Sequence, residues 1–301
     1  MTRCGIVALA GAPNAGKSTL MNALVGEPLA IVSPKPQTTR EPVRGLLTDA
    51  TTQIIFVDPA GLLDPGYPLQ KAMVRAAIAS LNDADLVLHL HPLPQAPAPP
   101  LEQIARELTL DGLEVTPGRV LTVYTKADLA HSERRTANGE APGGRDGAYV
   151  VSAVSGEGLV ELLGAIRARL PESPFLYDAD DIGTQPVRFF AAEFVREAVY
   201  AELEQELPYC VAVEIEEFVE SRTPVYIRAT LAVERESQKP IVLGRGGRTI
   251  KAIGTKARAR LEAFLGQRVH LELWVAVWPK WRKSSAALAR LGLPLPTETP
   301  R

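Results

Sequence analysis

The sequence predicts two domains: an α/β domain with a mostly parallel sheet, followed by a smaller α+β domain. Three observations carry this. Up to about residue 170, apolar runs of strand length alternate with helical patterns, as buried parallel strands covered by helices require. After Pro186 the order becomes helix, strand, strand, glycine cluster, helix, strand. Charge also divides unevenly: the 301-residue chain has a net charge of −2, yet residues 235–290 hold 13 Lys and Arg against 3 Asp and Glu. A basic stretch in a nearly neutral chain points to a polyanionic partner for that stretch, or to a solvated basic face.

In the first part, strands are expected at residues 5–10, 53–57, 86–90, 120–124 and 149–151, with helices at 18–25, 68–81, 101–110 and 159–170. Residues 43–48 add an edge strand paired to 53–57 through the turn Asp49-Ala50-Thr51. Residues 92–100 hold five prolines in nine positions and cannot extend a strand. Residues 130–147, polar and Gly-containing, read as a surface loop. Prolines and the acidic residues Asp178, Asp180 and Asp181 break the pattern near 171–186. The second part is expected to run helix 193–207, strands 211–219 and 225–233, helix 248–265 and strand 268–277. The division predicted is 1–172, a linker over 173–186, a second domain over 187–285 and a tail over 286–301.

Composition excludes some classes. No apolar run approaches the roughly 18 residues of a membrane span. Met1-Thr2-Arg3 leads straight into the first strand, not into a signal-peptide core. Cys4 and Cys210 fall in different domains without metal-ligand spacing, which favours a reducing cytoplasm.

Gly11-Ala12-Pro13-Asn14-Ala15-Gly16-Lys17-Ser18 matches G-x-x-x-x-G-K-[ST] between a strand and a helix, with Thr19 next. Backbone amides there cradle phosphates, aided by the helix dipole. Lys17 would neutralise the β- and γ-phosphates, and the Ser18 hydroxyl would ligate Mg2+, which prefers hard oxygen donors. Three further elements follow in order, each at a strand end, where open α/β sheets bind ligands. In Asp58-Pro59-Ala60-Gly61, Asp58 would hold Mg2+ through water and the Gly61 amide would sense the γ-phosphate. In Thr125-Lys126-Ala127-Asp128, the Asp128 carboxylate can accept from guanine N1–H and its exocyclic amine, whereas adenine N1 would repel it. At Ser152-Ala153 a backbone N–H can meet guanine O6. The set specifies a GTP/GDP site with Mg2+. Between the first helix and the edge strand, a loop threonine can close on Mg2+ and the γ-phosphate. Thr39 is favoured and Thr38 is the alternative, so Lys17 and Thr39 are the candidate catalytic residues.

Gly244-Arg245-Gly246-Gly247 opens a basic helix. A G-x-x-G loop there suits a KH module, which clamps a single-stranded nucleic-acid backbone; by itself the string also describes a turn. Arg245, Arg248 and Lys251 supply charge, and Ile250 and Ile253 are candidates to line a base-accepting groove. The run Trp278-Pro279-Lys280-Trp281-Arg282-Lys283 reads equally as RNA or membrane-surface contact and as tryptophans packed on the domain. His89 and His91 share one strand face without a third ligand, so packing is preferred to metal binding.

These residues resemble the Era family of bacterial GTPases over nearly the whole chain. The resemblance is carried by Pro36-Gln37-Thr38-Thr39-Arg40, by RFFAAEFVRE at 188–197, by LPYCVAVEIEEF at 207–218, by GRGGRTIKAIG at 244–254 and by the tail at Trp281-Arg282-Lys283 and Arg290-Leu291-Gly292. It implies a P-loop GTPase domain with slow hydrolysis and a type II KH domain. It also implies binding of 16S ribosomal RNA near its 3′ end, a role in 30S subunit assembly, a monomer, and peripheral contact with the inner face of the cell membrane. Asn14 matches the asparagine that coordinates K+ in potassium-stimulated relatives, which makes K+ a candidate activating ion. Three departures bear on function, beside one feature held in common. Thr125 stands where the guanine motif normally has Asn, and Asp-Pro-Ala-Gly replaces Asp-Thr-Pro-Gly. The strand over 86–90 runs into His91 and Pro92 where Asp is usual, and Leu62 leaves no Gln to orient water, a lack the family shares. The alternative function is an RNA-binding assembly chaperone with a partly degenerate nucleotide site.

Overall fold

A computed structural model describes residues 1–114, 116–129 and 148–293. The loop expected at 130–147 lies outside the described residues. The chain forms two compact units, residues 1–65 with 73–184 and residues 66–72 with 185–301.

The first unit is built on a six-stranded sheet in the order β2-β3-β1-β4-β5-β6. The strands are β1 (Arg3–Ala10), β2 (Val43–Thr48), β3 (Thr52–Asp58), β4 (Leu86–Pro92), β5 (Val120–Thr125) and β6 (Tyr149–Val150). Only β2 runs antiparallel to its neighbour. The helices are α1 (Lys17–Val25), α2 (Pro68–Asp83), α3 (Leu101–Glu107) and α4 (Leu159–Arg169). On one face Ala8, Ala10 and Val57 from the strands meet Val74, Ala77 and Leu81 from α2. Because β1, β3, β4 and β5 are parallel, their C-terminal ends share one edge of the sheet, and Ala10, Asp58, Pro92 and Thr125 mark it.

Beyond α4 the chain runs back along the β2 side. Leu46 N donates to Ile182 O at 3.0 Å. Gln53, fully buried, accepts at Oε1 from Leu176 N (2.8 Å) and Tyr177 N (3.0 Å) and donates through Nε2 to Tyr177 O (2.9 Å). One side-chain amide thereby satisfies three backbone groups of an otherwise irregular segment, as burial demands.

The second unit holds a three-stranded sheet, β7 (Ala212–Val219), β8 (Val225–Val233) and β9 (Val269–Val277), with β7 antiparallel and β9 parallel to β8. Its helices are α5 (Val187–Glu202), α6 (Leu207–Cys210), α7 (Lys239–Leu243), α8 (Arg248–Leu265) and α9 (Ser285–Arg290). The helix expected at 193–207 starts six residues earlier, where Pro186 in extended conformation ends the irregular run, and it stops where Leu203 turns extended. Its early turns supply the core: Phe190 and Phe194 each pack against Phe264 of α8 at 5.2 Å between ring centroids. Ile241-Val242-Leu243 closes α7, a short helix with Pro240 in its first turn.

Candidate functional site: a phosphate cradle and a glycine loop

The loop after β1 is shaped by backbone that favours glycine. Gly11 and Gly16 have φ of +153° and +93°, and a Cβ on Gly11 would lie 2.6 Å from Leu90 O. Lys17, buried at the start of α1, donates through Nζ to Gly11 O (3.2 Å) and Ala12 O (3.0 Å). Burial pushes its ammonium pKa down, and nearby Asp58 works against that shift. The loop and the segment at 31–39 border a cleft of about 360 Å3 that includes Lys17, Ser18, Thr38, Thr39, Gly61 and Lys126.

Three sequence-predicted metal residues meet here. Ser18 Oγ donates to Asp58 Oδ2 at 2.5 Å, and Thr39 Oγ1 lies 3.3 Å from both atoms. Asp58 is fully buried, and its Oδ1 has no hydrogen-bond partner among the described residues. Burial raises the carboxyl pKa, opposed by Lys17. An orphaned carboxylate oxygen beside two hydroxyls is a donor set for a hard cation, and Mg2+ fits it. Thr38 lines the cleft, whereas Thr39 is the threonine in this cluster.

The turn after β3 packs flush on the cradle. A Cβ on Gly61 would sit 2.6 Å from Pro13 N, and Leu62 N donates to Gly11 O at 3.0 Å. Leu62 itself is buried in the core beneath the sheet. The side chain at that position is therefore not among those that border the cleft.

At the base end, Asp128 Oδ1 accepts from Ser152 Oγ at 2.6 Å, and that hydroxyl accepts from Ser155 N at 3.1 Å. Ser152 N already donates to Glu157 O at 3.0 Å. Of the two amides expected near guanine O6, this leaves Ala153 N–H; Ser152 acts on Asp128 instead. Thr125 Oγ1 donates to Ala15 O at 2.7 Å.

His91 Nε2 lies 2.9 Å from Gln95 O, and Tyr124 OH accepts from Ala98 N at 3.2 Å, so both side chains hold the proline-rich run. His89 is buried, with Nε2 unpartnered among the described residues, where no group of three His, Cys, Asp or Glu could hold a metal. Burial, and then the charge of His91, lower its pKa to about 4, against a weaker opposing pull from Glu102. The unfolded chain takes up this proton near pH 6.5 and the folded chain only near 4, so stability is full above 6.5 and falls as pH drops between the two. The loss expected from His89 by pH 5 is about 2 kcal/mol. Urea unfolding at pH 7.5 and pH 5 should show that loss shrinking by this amount in His89→Leu; an equal loss in both proteins would refute it.

In the second unit, Gly244, Gly246 and Gly247 all have positive φ. A Cβ on Gly244 would overlap Thr249 Oγ1, whereas one on Gly246 would meet nothing within 4 Å. Arg245, Arg248 and Lys251 are exposed beside it. The first turn of α8 has no side-chain cap and no acidic residue, a combination that suits an anion at the helix's positive end. Ile253, expected in a groove, is fully buried core, and the exposed apolar residue next to the loop is Ile241. Four of the thirteen cations counted at 235–290 pair with carboxylates outside that stretch: Lys256 with Glu202, Arg260 with Glu197, Arg282 with Glu234 and Arg290 with Glu214. The basic excess is therefore smaller in space than in sequence, and Arg245, Arg248 and Lys251 at the loop are among the cations outside these four pairs. Trp281 is 0% exposed, its indole N–H donating to Cys210 O at 2.8 Å, and Arg290 covers the Trp278 ring at 4.4 Å. These tryptophans pack on the unit.

Residues 6–126 match the family described as 50S ribosome-binding GTPase, and residues 206–282 match the KH domain family. The GTPase Era of Afipia carboxidovorans is 42% identical over 99% of this chain and 96% of its own length. That of Thermotoga maritima is 40% identical over 97% of each. Among solved structures, Aquifex aeolicus Era bound to GDP·AlF4− gives a TM-score of 0.86 at 35% identity, covering 97% of this chain and 99% of that one. Era in complex with MgGDPNP and nucleotides 1506–1542 of 16S ribosomal RNA gives a TM-score of 0.86 at 34% identity and the same coverage. Sequence identity at this level over nearly all of both chains goes well past a shared fold, and the chain belongs to the GTPase Era family.

Proposed function

We propose that this GTPase binds 16S ribosomal RNA near its 3′ end and times a step of 30S subunit assembly. The observation that supports this most is the pairing, in one chain, of the Ser18–Thr39–Asp58 cluster with an uncapped, basic glycine loop. In this reading residues 11–19, Asp58 and Gly61 hold the phosphates, and Lys126, Asp128 and Ala153 hold the base beside Thr125 and Ser152. Ser18, Thr39 and Asp58 would hold Mg2+, which draws charge from the phosphate oxygens when bound. Asn14 Nδ2 donates to Pro34 O at 3.0 Å, which leaves Oδ1 as the oxygen to hold K+. Residues 244–248 and Lys251 hold RNA. The domain division is 1–172, linker 173–186, 187–285 and tail 286–301. The protein works as a cytoplasmic monomer with peripheral contact at the inner membrane face. No described helix is long and apolar enough to cross a membrane.

With Leu62 in the core, hydrolysis should be slow and should respond to added groups. The test is phosphate release in KCl or NaCl, with and without RNA from the 16S 3′ end. Faster release in KCl and measurable RNA binding are expected, and EDTA should stop release. RNA binding with no release above buffer under any condition would favour the chaperone reading instead.

A further inference from the structure

Position 125 departs from the family pattern, and its surroundings define what the replacement does. Thr125 ends β5, is 4% exposed, and directs its hydroxyl to Ala15 O at 2.7 Å. That carbonyl belongs to the cradle, between Asn14 at φ +63° and Gly16 at φ +93°. A hydroxyl carries a single proton, and here it is engaged with the loop. Guanine's major-groove edge offers only acceptors, O6 and N7. A side chain must bring a proton to read them, and Thr125 has none left to give. The Asp128 carboxylate, held by Ser152, faces the problem from the other side: it accepts, so it reads guanine's two donors.

We propose that Thr125 is a positioning residue that holds the phosphate loop at Ala15, and that it takes no part in reading the base. Base choice then rests on Asp128 with the Ala153 amide, and phosphate affinity depends on a tie 110 residues long in sequence. The position normally filled by Asn has kept a structural contact and given up a recognition contact.

The experiment is a titration of the full chain with GTP, XTP and 7-deaza-GTP, in which N7 is replaced by C–H. Thr125→Val removes the hydroxyl at nearly constant volume, and Thr125→Ser keeps it. Thr125→Val should weaken GTP and 7-deaza-GTP by the same factor, about tenfold for one lost buried hydrogen bond. Its GTP-to-XTP preference should stay within twofold of the parent, and Thr125→Ser should bind like the parent. The proposal is overturned if the Thr125→Val effect disappears with 7-deaza-GTP, since the hydroxyl would then be serving N7. It is equally overturned if Thr125→Ser behaves like Thr125→Val, or if Thr125→Val binds GTP as tightly as the parent. Should Thr125→Val fail to fold, the parent and Thr125→Ser decide: a fivefold or greater loss from GTP to 7-deaza-GTP in these hydroxyl-bearing proteins sinks the proposal, and equal binding of the two nucleotides supports it.

Discussion

Lys17→Ala should abolish GTP hydrolysis and weaken nucleotide binding at least a hundredfold while leaving RNA affinity, measured without nucleotide, within twofold. The ammonium is buried at the mouth of the cradle, bonded to two loop carbonyls and close to Asp58. Removing it takes away the cation proposed to face the β- and γ-phosphates, where charge accumulates during phosphoryl transfer. It also leaves Asp58 buried without its nearest opposite charge, so a neutral carboxyl is favoured in a site that works as a carboxylate. The two losses add in binding and in rate. Neither touches the second unit, where the glycine loop lies. Calorimetric titration with GDP, phosphate release and RNA anisotropy on one preparation check all three statements. Residual hydrolysis within tenfold of the parent would mean that another cation does this work.

Replacing Arg245 and Gly246 together by Asp should reduce RNA affinity at least a hundredfold and leave GTP affinity and melting temperature nearly unchanged. The choice of positions follows from the backbone. Gly244 cannot accept a side chain without overlapping Thr249, so changing it tests folding. Gly246 has open space around its Cβ position, and Asp tolerates its φ of +63° better than most residues, at roughly 1 kcal/mol. Arg245 is exposed. Two carboxylates would then stand in front of the uncapped helix end proposed to meet RNA phosphates. For the parent, affinity should fall with salt, by a slope near 0.7 per neutralised phosphate of a single strand. The variant should show a shallower slope. If it binds RNA as the parent does, the RNA site lies elsewhere on the molecule.

Much of this molecule could be read from local pattern. Strand runs at 53–57 and 86–90, the glycine spacing of the cradle and the helix 248–265 are encoded within a few residues. What escaped is non-local. Whether Ser152 or Ala153 offers a free amide depends on Glu157 O, a turn contact no motif contains. Thr125 meets a carbonyl 110 positions away, and Gln53 clasps backbone 124 positions away. The fate of Ile253 follows from which side of α8 is turned inward: it is fully buried, whereas Ile250, three residues earlier on the same helix, is half-buried. Linear charge counting misled in the same way, because Glu197, Glu202, Glu214 and Glu234 return to cancel cations that follow them.

Trp281 has a consequence for how the chain is made. It is the largest fully buried side chain described, and its indole closes on a carbonyl 71 residues earlier. The second unit therefore cannot complete its core until synthesis has passed residue 281. The sheet of the first unit and its β2-side strap are finished by residue 184, about a hundred residues sooner. At the usual 5–20 residues per second, the interval is roughly 5 to 20 seconds. For that time a nascent chain carries a finished phosphate cradle while the core of the second unit is still open beside Cys210. The nucleotide-binding unit can thus close its core before the RNA-binding unit closes its own, in the order of synthesis.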